Sequence, residues 1–209
     1  TYAGFKLQIT VTNTDAVAWF FRSPVYDHFS LLSEYHGHID WQGHRTPIAG
    51  LCTFEYAAGP SPYQVRRKPL PEALKLPLDF FTYQIINPDA RSQLLLTRVD
   101  ALATPAQSRV YLRGLQRPSI SRPARFEVLE YRAQPEMAPD GRQMRLPRRL
   151  RWQACDTDGS PLLDLEGEVD TPATYGLGCG YVAGYAYTGT LEGRRIEGRA
   201  YLEYIDRRH

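Results

Sequence analysis

Tyr187-Thr188-Gly189-Thr190-Leu191-Glu192-Gly193-Arg194-Arg195-Ile196-Glu197-Gly198-Arg199-Ala200-Tyr201-Leu202-Glu203-Tyr204 reads as a β-hairpin, and an earlier stretch of the chain is a second version of it. That version runs through Tyr35-His36-Gly37, Ile48-Ala49-Gly50 and Phe54-Glu55-Tyr56. Each reverses at a glycine, Gln42-Gly43 and Glu192-Gly193, where a two-residue turn fits. Folding about the turn sets Tyr35 opposite Gly50 and Gly37 opposite Ile48; it sets Tyr187 opposite Gly198 and Gly189 opposite Ile196. The earlier hairpin is longer by two residues per arm, an even number, so every shared side chain keeps its face of the sheet. The chain therefore contains two related β-modules.

Period-two alternation, rich in aromatic and β-branched residues, extends outward from both hairpins. Strands are expected near residues 4–12 and 15–22 before the first hairpin, giving that module about four strands. A linker follows, punctuated by Pro60, Pro62, Pro69, Pro71 and Pro77, with at most a helical turn or two over Pro71 to Leu76. From Asp79 onward about eight strands are expected, near 79–87, 91–101, 108–114, 124–133, 148–156, 160–169, 180–190 and 194–206. Asn87-Pro88-Asp89, Arg122-Pro123, Asp140-Gly141, Asp158-Gly159-Ser160 and Thr171-Pro172 are the turn signals between them. Eight antiparallel strands suffice to close a barrel around side chains or one small ligand. The expected organisation is a partial first module over 1–57, a linker over 58–78 and a complete barrel over 79–209. The first module holds too few strands to close. A second copy of the chain, or residues preceding Thr1, would complete it, and the chain reads as part of something longer.

Lys plus Arg number 25 against 23 Asp plus Glu, a net charge of +2 that gives no reason to expect a nucleic-acid or membrane-surface partner. No apolar stretch is long enough for a membrane-spanning helix. The three cysteines, Cys52, Cys155 and Cys179, have neither metal nor disulfide spacing, and the expected compartment is the cytoplasm.

The segment Gly180-Tyr181-Val182-Ala183-Gly184-Tyr185, continuing through Gly198, Tyr201 and Glu203 in the pattern Gly-x-x-Tyr-x-Glu, resembles the paired lipocalin-like proteins. These include carotenoid 1,2-hydratases and fungal pericyclases. Phe29-Ser30-Leu31-Leu32, Gly50-Leu51-Cys52-Thr53-Phe54-Glu55-Tyr56 and Asp79-Phe80-Phe81-Thr82-Tyr83-Gln84 look like an uncharacterised bacterial branch of that superfamily. The resemblance implies an all-β fold of antiparallel lipocalin-like barrels in tandem, the first incomplete here, with lipophilic ligands in or between them. It transfers no catalytic residue.

Parity sorts the residues that could carry chemistry. Tyr181, Tyr185, Tyr187 and Tyr204 share a face with Gly198, Ala200 and Leu202, expected to point inward as ligand-binding walls. Glu34, His36, His38 and Asp40 alternate on the opposite face of the first hairpin, while Asp27-His28 marks the strand's start. Four of the five histidines fall between His28 and His44. Imidazoles beside carboxylates suit general acid–base work, so Asp27, His28, His36 and His38 are the candidate catalytic residues. The His36-x-His38 pair lacks the glutamate that cupin-type metal sites place soon after, so no metal and no cofactor is assigned. Three readings stay open. One is cofactor-free hydration or cyclisation of an isoprenoid or polyketide-like molecule. The others are a non-catalytic carrier of such a molecule, and a β-assembly module completed by another chain.

Overall fold

The computed structural model describes residues 4–24, 26–58, 78–101, 104–139, 141–176 and 180–208. The expected helical turn, most of the linker, and Cys179 lie outside them. The described chain falls into two units. The first comprises residues 4–58 with Asp89–Gln93 and Arg113–Ser119; the second comprises residues 78–88, Leu94–Leu112 and 120–208 apart from the undescribed positions.

The first unit is built on a three-stranded antiparallel sheet, ordered β1 (Lys6–Arg22), β2 (Asp27–Trp41), β3 (His44–Ala58). The two strands expected before the hairpin are one strand of 17 residues, which corrects the count from about four to three. Asn13-Thr14-Asp15 has no glycine or proline to reverse the chain, and the surplus is absorbed as an irregularity in register between Asn13 and Val17. Thr14 holds that irregularity by donating to the Leu32 carbonyl at 2.7 Å and accepting from the Ala16 amide at 3.2 Å.

The remaining strands are β4 (Leu78–Asp89), β5 (Ser92–Ala101), β6 (Thr104–Gly114), β7 (Arg117–Tyr131), β8 (Glu136–Met137), β9 (Gln143–Met144), β10 (Pro147–Cys155), β11 (Pro161–Val169), β12 (Thr174–Tyr175), β13 (Tyr181–Leu191) and β14 (Arg194–Asp206). Eight of them, β4, β5, β6, β7, β10, β11, β13 and β14, follow one another around a closed antiparallel barrel, in which β14 returns to β4. Closure leaves these strands no free edge. No helix among the described residues is long and apolar enough to cross a membrane.

Both hairpins turn as their glycines require. Gln42 and Gly43 have φ of 49° and 80°, and Glu192 and Gly193 have 51° and 73°, the doubly positive signature of the tight hairpin turn. The registers also match the folding of the sequence: Tyr35 faces Gly50, and Tyr187 faces Gly198. In both hairpins the tyrosine ring lies over the glycine. A Cβ on Gly50 would meet the Tyr35 ring at 3.3 Å, and one on Gly198 would meet the Tyr187 hydroxyl at 2.9 Å.

Inside the barrel the cross-strand rows interlock large and small side chains. One row runs Phe126, Trp152, Leu165, Gly189, Ile196, and the next runs Val128, Leu150, Gly167, Tyr187, Gly198. Phe80, Ile86, Leu94, Leu96, Val110 and Leu112 supply the wall from β4, β5 and β6. Each fully buried large apolar side chain contributes about 1.5–3 kcal/mol. One end of this core is ionic: Arg98, Asp100, Asp206 and Arg208 surround Phe80, with the two guanidinium carbons 5.3 Å (Arg98) and 4.1 Å (Arg208) from its ring centre.

Candidate functional site

The best-connected titratable group among the sequence candidates is His28. The chain leaves β1 through Ser23-Pro24 and re-enters the sheet at Asp27. Ser23 ties this corner together: its amide donates to the Tyr26 carbonyl at 3.0 Å and to Asp27 Oδ1 at 3.3 Å, and its hydroxyl accepts from the Tyr26 amide at 2.9 Å. Asp27 therefore anchors the corner, and strand alternation sends it to the face opposite His28.

His28 Nε2 lies 3.5 Å from Glu55 Oε2, and its Nδ1 lies 3.4 Å from the Tyr26 hydroxyl. Glu55 pairs with Ser30 while His28 pairs with Ala57, so the carboxylate reaches the ring on the strand diagonal. A phenol donating to Nδ1 places the neutral ring's own proton on Nε2, toward Glu55. Burial, then the charge of Glu55, pushes the Tyr26 phenol upward, so it stays protonated and able to donate. The edge of Phe20 packs on the imidazole with ring centres 4.8 Å apart. Phe21 and Tyr26 are exposed and 5.9 Å apart, so apolar rings border an accessible base.

The other histidines do not join this group. His36 and His38 share His28's face of β2 but follow it by eight and ten residues, about 26 Å or more along an extended strand. His36 is exposed, and His38 Nε2 is 3.6 Å from Asp40 Oδ2. Arg45 grips both oxygens of Asp40 at 2.7 and 2.9 Å, and its hydrogen bonds hold that carboxyl below the usual range. Among the described residues no group of three or more His, Cys, Asp or Glu is arranged to hold a metal ion.

The tyrosine face turns inward. Tyr181, Tyr185, Tyr187 and Tyr204 belong to the core, all under 7% exposed. Tyr185 donates to Gln84 Oε1 at 2.7 Å; the Gln84 amide donates to Thr82 Oγ1 at 3.2 Å, and Thr82 donates to the Glu203 carbonyl at 2.9 Å. Burial pushes the phenols of Tyr185 and Tyr204 well upward, so both stay protonated. The Tyr185 and Tyr187 rings pack against one another, Tyr185 also over Gly167 and Tyr187 over Gly198, while Tyr204 meets Phe80 and Tyr181 meets Tyr175. A groove of about 650 Å³ opens on the second unit, bordered by Arg122, Ala124, Gln153, Cys155, Asp156 and Leu163, and none of the four tyrosines lines it.

Sequence reasoning missed two features. Glu55 is not among the sequence candidates, although folding the first hairpin places it on His28's face. Trp152, wholly buried in the barrel, has an indole Nε1 with no hydrogen-bond partner among the described residues. No local motif signals that orphan donor, because it depends on what the other strands bring opposite the ring.

A model of the family described as "Family of unknown function (DUF6670)" matches residues 1–209. No curated protein matches the chain. Among solved structures, the chain is similar to kievitone hydratase from Nectria haematococca, at 11% identity with a TM-score of 0.58. The match covers 93% of this chain and 63% of that one, so the chain spans less than two thirds of that protein's length. The likeness supports a lipocalin-like all-β fold.

Proposed function

The chain belongs to the DUF6670 family, and we propose that it binds a lipophilic small molecule, isoprenoid or polyketide-like, and adds water to it or cyclises it by acid–base chemistry. The observation that carries this reading is His28 held between Glu55 and Tyr26, beside the exposed rings of Phe21 and Tyr26. In a hydration, His28 takes a proton from water as the oxygen bonds to one alkene carbon. Tyr26, displaced from the imidazole, gives its hydroxyl proton to the neighbouring carbon. The imidazolium, stabilised by Glu55, then returns its proton to the Tyr26 oxygen, and the elements of one water have been added. A positioned base of this kind contributes about 10²–10⁴ in rate. Incubation with prenylated phenols in heavy-oxygen water, followed by mass spectrometry, tests it. His28→Gln is expected to cut label incorporation by roughly a hundredfold or more while ligand binding persists. Wild-type turnover by a folded His28→Gln protein would remove His28 from the mechanism.

A second reading, a non-catalytic carrier, is favoured by the orphan Trp152 donor. A buried N–H without an acceptor costs about 1–3 kcal/mol, and a ligand oxygen inside the ring-lined barrel would relieve it. Trp152→Phe is then expected to weaken binding of a lipophilic ketone about fivefold, the worth of one net hydrogen bond. Calorimetric titration measures this, and an unchanged affinity counts against a ligand at that position.

A further inference from the structure

We propose that Arg113 is a positioning residue for the His28–Glu55 pair, clamping β2 at Ser30, the residue that neighbours both. The inference rests on the reading of His28 as the base. His28 and Glu55 are not directly opposite each other. They meet on the strand diagonal, so the 3.5 Å between them depends on how β2 and β3 are twisted and staggered at that point. Ser30 is the cross-strand partner of Glu55 and the residue after His28 on the same face of β2. On the other side β1 gives less guidance, because its register against β2 is irregular between Trp19 and Phe21, beside His28.

Arg113 supplies a fixed point. Arg113 on β6, Gln93 on β5 and Ser30 belong to the first unit, and all three are wholly buried. The guanidinium donates through Nη1 to the Ser30 carbonyl at 2.8 Å and through Nη2 to the Ser30 hydroxyl at 3.0 Å. Gln93 Oε1 accepts from Nε at 3.1 Å and from Nη2 at 2.6 Å, which braces the planar fork against rotation. Two bonds to one residue, one of them to its backbone, hold the strand as well as the side chain. Ala18, opposite Ser30 on β1, is buried and ends in a methyl, so this row of the sheet stays low where the guanidinium meets it. Packing alone does not call for arginine: an apolar side chain of similar volume fills such a space without the cost of desolvating a charge. What the arginine adds is direction. Burial pushes the Cys52 thiol of β3 up and the charge of Arg113 partly offsets this, so its field reaches β3 as well as β2.

Ethoxycarbonylation of the full chain by diethyl pyrocarbonate, followed peptide by peptide in a mass spectrometer, reads the pair without any substrate. Glu55→Gln is expected to slow modification of His28 about fivefold, the worth of one net hydrogen bond to the ring. Arg113→Lys keeps the charge and loses the fork, and Ser30→Ala removes one bond of the clamp; each should slow His28 by about twofold or more. Neither should slow it further in a Glu55→Gln background. His44, beside the turn at the far end of the first hairpin, should keep its wild-type rate throughout. Should Arg113→Lys fail to fold, Ser30→Ala makes the same test. A wild-type rate at His28 in the folded variants overturns the proposal, as does a slowing that adds to that of Glu55→Gln or a change shared by His44. Label incorporation from heavy-oxygen water separates the clamp from the reaction. With hydration present, Arg113→Lys should lower kcat and leave KM unchanged, and a change in KM alone overturns the role. With hydration absent, a slowed His28 still upholds the clamp while the hydratase reading falls.

Discussion

Gly189→Ala is expected to destabilise the barrel by about 3 kcal/mol or more, the upper end for overpacking. The added methyl would collide with the Asp164 carbonyl oxygen and lie 2.7 Å from the Leu165 Cα, both backbone atoms of β11. No rotamer change relieves a backbone contact, so β11 and β13 must part, and with them the row from Phe126 through Trp152 to Ile196. Gly193→Ala is the comparison. Its φ of 73° is strained for alanine, yet nothing lies within 4 Å, so only about 1–2 kcal/mol is expected. Gly198→Ala should fall between them, because it presses on the tip of Tyr187, which can tilt. Urea unfolding of the three variants at neutral pH measures the order. A Gly189→Ala protein no weaker than Gly193→Ala would mean that the two strands are not held this closely.

The same glycines explain why the fold was legible. A tight turn fixes which residues face one another, and strand parity then fixes the side on which each stands, so Tyr187 over Gly198 follows from counting outward from Glu192-Gly193. Most of the long strands from Leu78 to Asp206 match the expected ones to within a few residues for the same reason, each being bounded by turn chemistry or by the end of alternation. β7 is the exception, since it begins at Arg117 and runs straight through Arg122-Pro123, which reads as a turn in the sequence, and the two-residue strands β8, β9 and β12 carry no such signal. The first strand was split in error because alternation breaks at Asn13–Asp15, and a break in period looks alike whether the chain turns or bulges. Only the Thr14 hydroxyl, bridging to Leu32, distinguishes them. The candidate site was half legible. His28 stood out as a histidine at a strand start, but its partners come from the corner and from β3, and His36 and His38 were grouped with it by proximity in sequence. Eight residues of extended chain separate what eight residues of helix would bring within two or three turns. Trp152 and the ionic end of the barrel were not legible at all, since both depend on which strands converge once the sheet curls.

At that ionic end, Asp206→Asn is expected to cost about 3 kcal/mol, the lower end for breaking a buried ion pair because Arg208 keeps some contact with water. Asp206 is 4% exposed and holds Arg208 through both oxygens, at 2.9 and 2.8 Å, while Tyr204 donates to it at 3.2 Å. Asp100 binds Arg98 at 2.9 and 2.8 Å and takes a further bond from Arg208 at 3.1 Å. Neutralising Asp206 leaves two guanidiniums facing one carboxylate around the Phe80 ring. Burial alone would raise the Asp206 carboxyl, but the hydrogen bonds and charge of Arg208 outweigh it and hold the group below its ordinary value. A carboxyl lowered on folding stabilises the native state fully above its unfolded value of about 3.9, and that contribution disappears as pH falls through the folded value. The wild-type protein should therefore lose stability on acidification below about pH 4, and Asp206→Asn should lose less over the same range, having already forfeited that term. Urea midpoints at neutral pH and near pH 3 separate the cases. A variant within 1 kcal/mol of wild type at neutral pH, or one as acid-sensitive as wild type, would show that Arg208 draws its support from Asp100 and that the Asp206 carboxylate adds nothing to it.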